Sequence, residues 1–573
     1  MFCRDFDVRL LRPLRHLGKG VILFCLLYAG IAWGQKVEQP RPDQPRTIGE
    51  AIKRVVNSEN ALIARLSAYH PLVEIYIQDE NPDPKLGSVP KNDEYFLAKL
   101  DLSSGSKTKS LLPADNLLKI VSGAFKFPFA IKYMQDAFAA MILVDKESFN
   151  TNKYEFKYLR REFLGGVRCL VFDIKPQESF DGFKGRIWVE DQDYTIVRLN
   201  GVNGTLPSPF GHRYFFHFDS WRLNMAPGLW LPAFVYTEES DFPYGIASLR
   251  KLKFKGQVRL WGYDLKHAGR QEQFTNIVVD DPGVRDRTEV EQRSPVWSQR
   301  SWEQQAEDNV LERLEKAGLL AAEGEVDKVL QTVVRNLEIT NNLELDPEVR
   351  CRVLLTSPFE SFTLGHTIVL SRGLIDVLPD EASLATMLAH ELSHIVLGQR
   401  PIDTKYSFAD RMMVEDTDIL AHFRFRRDHA EEAAADQKAI ELLKHSPYSD
   451  KLSNAGLFLK AVQDRAKPLP NLIRPHLGDR LAKGSEILRF ADVMSSAPNL
   501  QMERTDQIAA LPLGGRIKVN PWNDQIEMIK AKPTALHSAR EKMPFEVTPF
   551  MIDLSYQQNS KSASLSDLQK ATK

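Results

Sequence analysis

The chain reads as an α+β protein: a strongly curved antiparallel sheet through the N-terminal half, then a mainly helical half built around a metal-binding motif. Three observations predict this. Segments of alternating apolar and polar residues recur between Val73 and Trp261, separated by polar turns, the pattern of strands with one buried face. From Trp302 onward the apolar spacing becomes that of helices. Within that second half, His390-Glu391-Leu392-Ser393-His394 spells HExxH.

Taken in order, Arg4, Arg9, Arg12, Arg15 and Lys19 precede an apolar run from Val21 to Trp33. A membrane span needs about 20 apolar residues, so this shorter run predicts a signal-peptide core. Ala32-Trp33-Gly34 offers small residues for cleavage before Gln35, and an uncleaved anchor is the alternative. Residues 1–34 are therefore expected to be a signal peptide and the rest to be exported. A bacterial periplasm is the most economical destination, with peripheral membrane contact open to the chain.

After the Pro- and Gln-rich stretch Gln35 to Pro45, a helix is expected over Thr47–Ala68. Strands are expected at Val73–Ile77, Tyr154–Leu159, Arg168–Ile174, Gly185–Val189, Tyr194–Leu199, His212–Leu223, Leu229–Tyr236 and Lys251–Trp261. Gly185–Val189 and Thr195–Leu199, around an Asp-rich turn, predict a hairpin. These strands make residues 35–275 one sheet domain. Asp280-Asp281-Pro282-Gly283 and mixed charges mark 276–300 as a linker. Helices at Trp302–Ala321 and Gly324–Ile339 open the region 301–500. Residues 501–556 hold short strand-like pieces, Arg516–Val519 and Ile526–Ile529, and the Ser- and Lys-rich stretch 557–573 is expected to be disordered.

The 75 basic and 76 acidic residues leave a net charge of −1. With no basic stripe and no aromatic stacking platform, the sequence gives no support to nucleic-acid binding. Of four cysteines, Cys3 and Cys25 leave with the signal peptide. Cys169 and Cys351 fall in different expected domains, so two buried thiols are expected rather than a disulfide.

HExxH carries the chemistry. Two histidines four apart share one face of a helix and can grip a single metal ion, with Glu391 leaning toward the open side. That suits zinc hydrolysis, in which the metal acidifies water and the glutamate takes its proton. With 13 His in 573 residues, chance supplies roughly 0.02 such matches, so coincidence is a poor account. Asp380 is placed to cap the helix, and Leu384, Leu388, Leu392 and Ile395 give it an apolar side, with no Gly or Pro before Gly398.

Catalytic zinc usually keeps three protein ligands and one open position. A third histidine at the metzincin spacing is absent, because Leu397 and Arg400 stand there. Two glutamates compete for the place. Glu415 lies where a thermolysin-type ligand would fall. Glu432 is favoured, because Asp436 four residues on shares its helix face and could orient a ligand imidazole. Ala433, Ala434 and Ala435 would let that helix pack closely.

Leu384 to His394 together with Glu432-Ala433-Ala434-Ala435-Asp436 resembles metallopeptidase family 48, which includes the CaaX prenyl proteases and the BepA-type periplasmic proteases. Ile368 to Ile375 resembles the strand that precedes the family's metal helix. The resemblance implies a zincin-like gluzincin domain with one zinc per chain, held by His390, His394 and Glu432. It also implies a protein or peptide substrate lying along a strand edge, here Phe362–Leu370. Two departures stand out: Glu360-Ser361-Phe362 where the family often has Asn-Ala-Phe, and Arg474-Pro475-His476 where it commonly has His-Pro. His476 or Arg480 is the candidate oxyanion stabiliser. His366, His422 and His445 could each supply a fourth ligand, and His429 could line the cleft, though solvated positions are the simpler expectation.

The strand pattern of the N-terminal half resembles the LolA-like and LolB-like half-barrels of lipoprotein-sorting proteins. That resemblance implies an apolar cavity and a lipid or lipoprotein ligand, and the simpler expectation is a scaffold with a packed core. The expected activity is an exported zinc metalloendopeptidase. The rivals are a chaperone-like or lipoprotein-binding protein with latent proteolysis, and a zinc amidase acting on cell-wall peptides.

Overall fold

The computed structural model describes residues 45–101, 107–111, 141–145, 149–177, 182–207, 213–244, 250–263, 295–399, 425–473, 476–478, 481–483, 486–487, 489–529 and 534–557. The expected signal peptide, most of the linker and nearly all of the C-terminal tail lie outside them. Ile52–Lys573 form one unit and Met1–Ala51 another. Helix α1 spans Ile48–Leu66.

Ten strands follow: β1 (Leu72–Asp83), β2 (Gly87–Asp101), β3 (Lys107–Ser110), β4 (Tyr154–Leu164), β5 (Val167–Pro176), β6 (Phe183–Glu190), β7 (Ile196–Pro207), β8 (Arg213–Ala226), β9 (Leu229–Tyr244) and β10 (Arg250–Trp261). They form one antiparallel sheet in the order β3-β2-β1-β10-β9-β8-β7-β6-β5-β4, so its edges are β3 and β4. Register slips at Asp79/Glu80, Tyr158/Arg160, Gly204/Leu206 and Leu252/Phe254 interrupt the ladders. Such bulges bend strands and add local twist. The expected hairpin is β6–β7, with Ile187 opposite Leu199.

Alternation along each strand sorts the two faces. On one face Arg222 of β8 meets Glu59 of α1 in a fully buried, two-bonded ion pair at 2.6 and 2.7 Å. On the other, Val167, Cys169, Val171, Trp188, Val197, Trp221 and Trp230 form a core cluster. Its cover is the C-terminal segment, through Phe550, Ile552, Leu554 and Tyr556. Tyr556 donates to Glu190, and Leu554 accepts from the Gly166 N–H.

The second half starts with α2 (Pro295–Lys316) and α3 (Glu325–Thr340). Helix therefore begins at Pro295, inside the stretch expected to be linker. On α3, Val326, Leu330, Val333, Val334 and Leu337 are buried at helical spacing. Then come β11 (Arg350–Leu354), β12 (Ser361–Leu364) and β13 (Thr367–Ser371), a small sheet in the order β11-β13-β12. β11 runs parallel to β13, and β12 antiparallel to it at the edge. Helices α4 (Arg372–Val377), α5 (Glu381–Val396), α6 (His429–Lys444) and α7 (Leu452–Arg465) complete the core, and a hairpin of β14 (Ile517–Val519) and β15 (Ile526–Met528) follows.

Buried polar groups tie the large sheet to the helical half. Glu74 of β1 accepts from the Ser357 N–H at 2.6 Å, Ser357 Oγ at 2.7 Å and Arg372 Nη2 at 3.1 Å. Asp93 of β2 accepts from the Asn471 and Leu472 N–H groups at 2.9 and 2.8 Å. Gln78 bonds to the Phe545 carbonyl and the Val547 N–H. Strands that must present such groups carry charges among their apolar residues. β2, with its Lys-Asn-Asp-Glu run, is a strand the alternation rule passes over. Cys169 and Cys351 are buried free thiols, as expected.

Candidate metal centre

Local sequence places the two helices that make the site. Asp380 Oδ1 accepts from the Ser383 N–H at 2.9 Å and fixes the start of α5. Ala382 to Ile395 are all buried, so α5 is apolar round most of its surface, and its non-motif hydroxyls, Ser383 and Thr386, bond locally to Asp380 and the Ala382 carbonyl. Asp428 caps α6, with Glu431 reaching back in a capping box. Ala435 and Ala439, both fully buried on α6, let it pack closely on α5.

His390, His394 and Glu432 converge. The two Nε2 atoms are 3.1 Å apart. Glu432 Oε2 lies 3.4 Å from His390 Nε2, and its Oε1 lies 3.7 Å from His394 Nε2. Each imidazole turns its Nδ1 to an oxygen: His390 to Asp436 Oδ1 at 2.8 Å, His394 to Gln399 Oε1 at 2.6 Å. With Nδ1 carrying the proton, each neutral ring aims an Nε2 lone pair at the same point. Two imidazole nitrogens and a carboxylate around one point are the donor set of a zinc site, and the residues present fit the ion. Glu432 Oε1 has no hydrogen-bond partner among the described residues, as suits an oxygen reserved for a cation.

Glu391 sits beside this point, fully buried. Its Oε2 accepts from Thr363 Oγ1 at 2.8 Å, and its Oε1 lies 3.6 Å from Arg489 Nη1. Burial works to raise its pKa, but the Arg489 guanidinium and the two imidazoles outweigh that and hold it below the usual carboxylate range. Glu432 follows the same balance and lies far below that range. Burial, then the neighbouring His390, push His394 down to about 3. His390 is raised: burial and Arg489 lower it, but the bonds to Asp436 and Glu432 outweigh them. Two rings this close cannot both take a proton.

Two residues that the sequence did not single out complete the site. Gly398 adopts a positive φ of 68° and ends α5, so the chain turns back and sets Gln399 against His394. The sequence sign was that helix-ending glycine. Arg489, almost fully buried, donates from Nε to Glu432 Oε2 at 3.1 Å and from Nη1 to Ser361 Oγ at 3.2 Å. Next to it, Phe490 gives its N–H to Asp436 Oδ2 at 3.1 Å and lays its ring near His390. No local pattern marks Arg489.

His476 is elsewhere. Its ring stacks on Tyr95 of the large sheet, 5.3 Å between centroids, in a small apolar pocket that also holds Leu97, Leu111, Leu319 and Glu360. Arg489 and, more weakly, Arg427 bring positive charge to Glu391, whereas His476 gives its backbone N–H to Glu360 and its ring to Tyr95. His429 and His445 are exposed at the two ends of α6, and His366 is buried in the β12–β13 turn. Arg480, Glu415 and His422 lie outside the described residues.

The model of peptidase family M48 matches residues 322–415, which supports the resemblance read from the HExxH segment. No curated protein matches the chain. Among solved structures, a DUF1329 family protein from Desulfovibrio piger ATCC 29098 is similar over 38% of this chain and 94% of its own, at 10% identity and a TM-score of 0.17.

Proposed function

We propose that the chain is a zinc metalloendopeptidase that hydrolyses peptide bonds of exported or envelope proteins. The observation that carries the reading is the convergence of His390, His394 and Glu432 on one point with Glu391 beside it. A zinc ion held there would supply Lewis acidity, polarising the scissile carbonyl and acidifying water. Glu391, kept ionised by Arg489, takes a proton from the attacking water and returns it to the leaving amine. Asp436 and Gln399 hold the imidazoles in the tautomer that frees Nε2. Arg489 holds Glu432 in place and offers positive charge next to the reacting centre. Thr363, on the edge strand β12, ties Glu391 to the edge on which an extended peptide would add as a further strand.

Export rests on the basic and apolar N-terminus, which lies outside the described residues. No helix among the described residues is long and apolar enough to cross a membrane. The large sheet is read as a scaffold: α1 packs on one face and the 550–556 segment on the other. The acyl ligand suggested by the half-barrel resemblance would have to enter beside these covers.

The test is metal content and casein hydrolysis on the chain from Gln35 onward. Wild type is expected to hold one zinc and cleave. Glu391→Gln is expected to keep the zinc and lose cleavage, and Glu432→Ala to lose both. A zinc-free wild type, or full activity in Glu391→Gln, overturns the reading.

A further inference from the structure

The edge on which a peptide would add is already covered by the chain itself. Among the described residues β12 pairs with β13 on one side only. The Ser371 N–H bonds to the Glu360 carbonyl across that ladder at 2.8 Å. By alternation, Ser361 and Thr363 therefore turn their backbone groups outward, to the open side. Gly478 stands against Ser361 there: a Cβ on Gly478 would lie 2.4 Å from the Ser361 carbonyl oxygen. The Thr363 carbonyl accepts from Arg427 Nη2 at 3.4 Å.

What holds Gly478 in place is a buried carboxylate. Glu360 accepts the N–H of His476 at 3.0 Å and of Leu477 at 3.2 Å, and the Gly478 N–H points to it as well. On the far side the Leu477 carbonyl accepts the Phe425 N–H at 3.0 Å, and the Phe425 ring stacks on Phe362 at 4.8 Å. Glu360 and His476 belong to the two stretches where the sequence departs from the family pattern. In the fold these two departures bond to each other.

We infer that His476–Gly478 is a strap across the substrate edge and that Glu360 is its catch, so that the resting chain is closed to peptides. The inference rests on the hydrolase reading. An extended peptide would take the outward groups of Ser361 and Thr363 in place of Gly478 and Arg427, and it must displace the strap to do so. The rival is that these residues form the fixed wall of an open cleft. The two predict opposite signs.

Gly478→Ala puts a methyl into the Ser361 carbonyl and pushes the strap off. Glu360→Gln removes the charge that gathers its N–H groups. Both are made in the full chain and again in the Glu391→Gln background, with fluorescein-labelled casein as the probe. Each variant is expected to raise casein hydrolysis about tenfold, and casein binding in the Glu391→Gln background by a similar factor. Amide exchange at His476 and Leu477 should quicken alongside. Folded variants whose exchange quickens while hydrolysis and binding stay level or fall would overturn the strap. Should Glu360→Gln not fold, Gly478→Ala decides alone. Tighter casein binding with no cleavage in any zinc-loaded form supports the strap and counts against the hydrolase. Brisk cleavage by wild type that falls in Gly478→Ala counts against the strap and leaves the hydrolase standing.

Discussion

His394 shows how much of the centre depends on residues that carry no motif. HExxH names the two imidazoles and the base, but the ring of His394 is aimed by Gln399, three residues past the end of its helix. Outer partners of metal ligands are typically worth 10–100-fold in metal affinity. Gln399→Ala is accordingly expected to weaken zinc binding by about that factor in a chelator competition, as is Asp436→Ala. Unchanged affinity in Gln399→Ala would mean the imidazole is held by packing alone. Asp436 was legible in the sequence because it shares a helix face with Glu432. Arg489 was not, because only the tertiary fold brings it to the two carboxylates.

His476 sets a pH dependence at the same scale. Burial pushes its imidazole from 6.5 down to about 4. The unfolded chain therefore takes up that proton first, and the stability its neutral ring contributes is present above pH 6.5 and lost as pH falls toward 4. Glu360 beside it, raised by burial to about 7, acts with the opposite sign between pH 4.5 and 7. His476→Phe removes only the first effect. Its melting temperature should drop less than that of wild type between pH 7.5 and 5, and an equal drop would show that His476 is not the titrating group.

Elements follow the sequence where local rules act alone. Helix α5 starts at its Asp380 cap and stops at Gly398, and α6 starts at its capping box, so the ligand-bearing helices were readable. The alternating strands from β4 to β10 were also readable, although each is longer than its apolar core suggests. The pattern failed at β2 and β3. There polar groups are retained inside the sheet because Asp93 and its neighbours bond to the helical half, and no single-strand rule anticipates a partner more than 370 residues away. The expected edge, Phe362–Leu370, runs over two strands: Phe362–Leu364 lies on the edge strand β12, but Thr367–Leu370 lies on β13, the central strand of the small sheet. The cover of β12 was not legible, since Glu360 and His476 lie more than 110 residues apart.

The whole molecule behaves as a sheet clamped to an enzyme-like core by buried charge. Glu74 receives four donors, Tyr95 Oη at 2.8 Å being the fourth. Removing one partner of a buried ion pair costs about 3–5 kcal/mol, because the other charge stays behind. Glu74→Ala is expected to lower the urea stability by that amount and to separate the unfolding of sheet and helical half, followed by tryptophan fluorescence and zinc release. A single transition at an unchanged midpoint would show that the clamp lies elsewhere.

The cover of the Trp188, Trp221 and Trp230 face comes from residues 550–556, at the far end of the chain from the strands it protects. A ribosome delivers the strands long before it delivers their lid, so that tryptophan-rich face stays wet until residues 550–556 are made. Were the chain exported, as proposed above, that delay would be useful, since a sheet lacking its last layer is easier to keep unfolded. Loss of the 550–556 segment would leave a protein with its metal ligands intact and a permanently sticky flank, a candidate for aggregation rather than for simple inactivity.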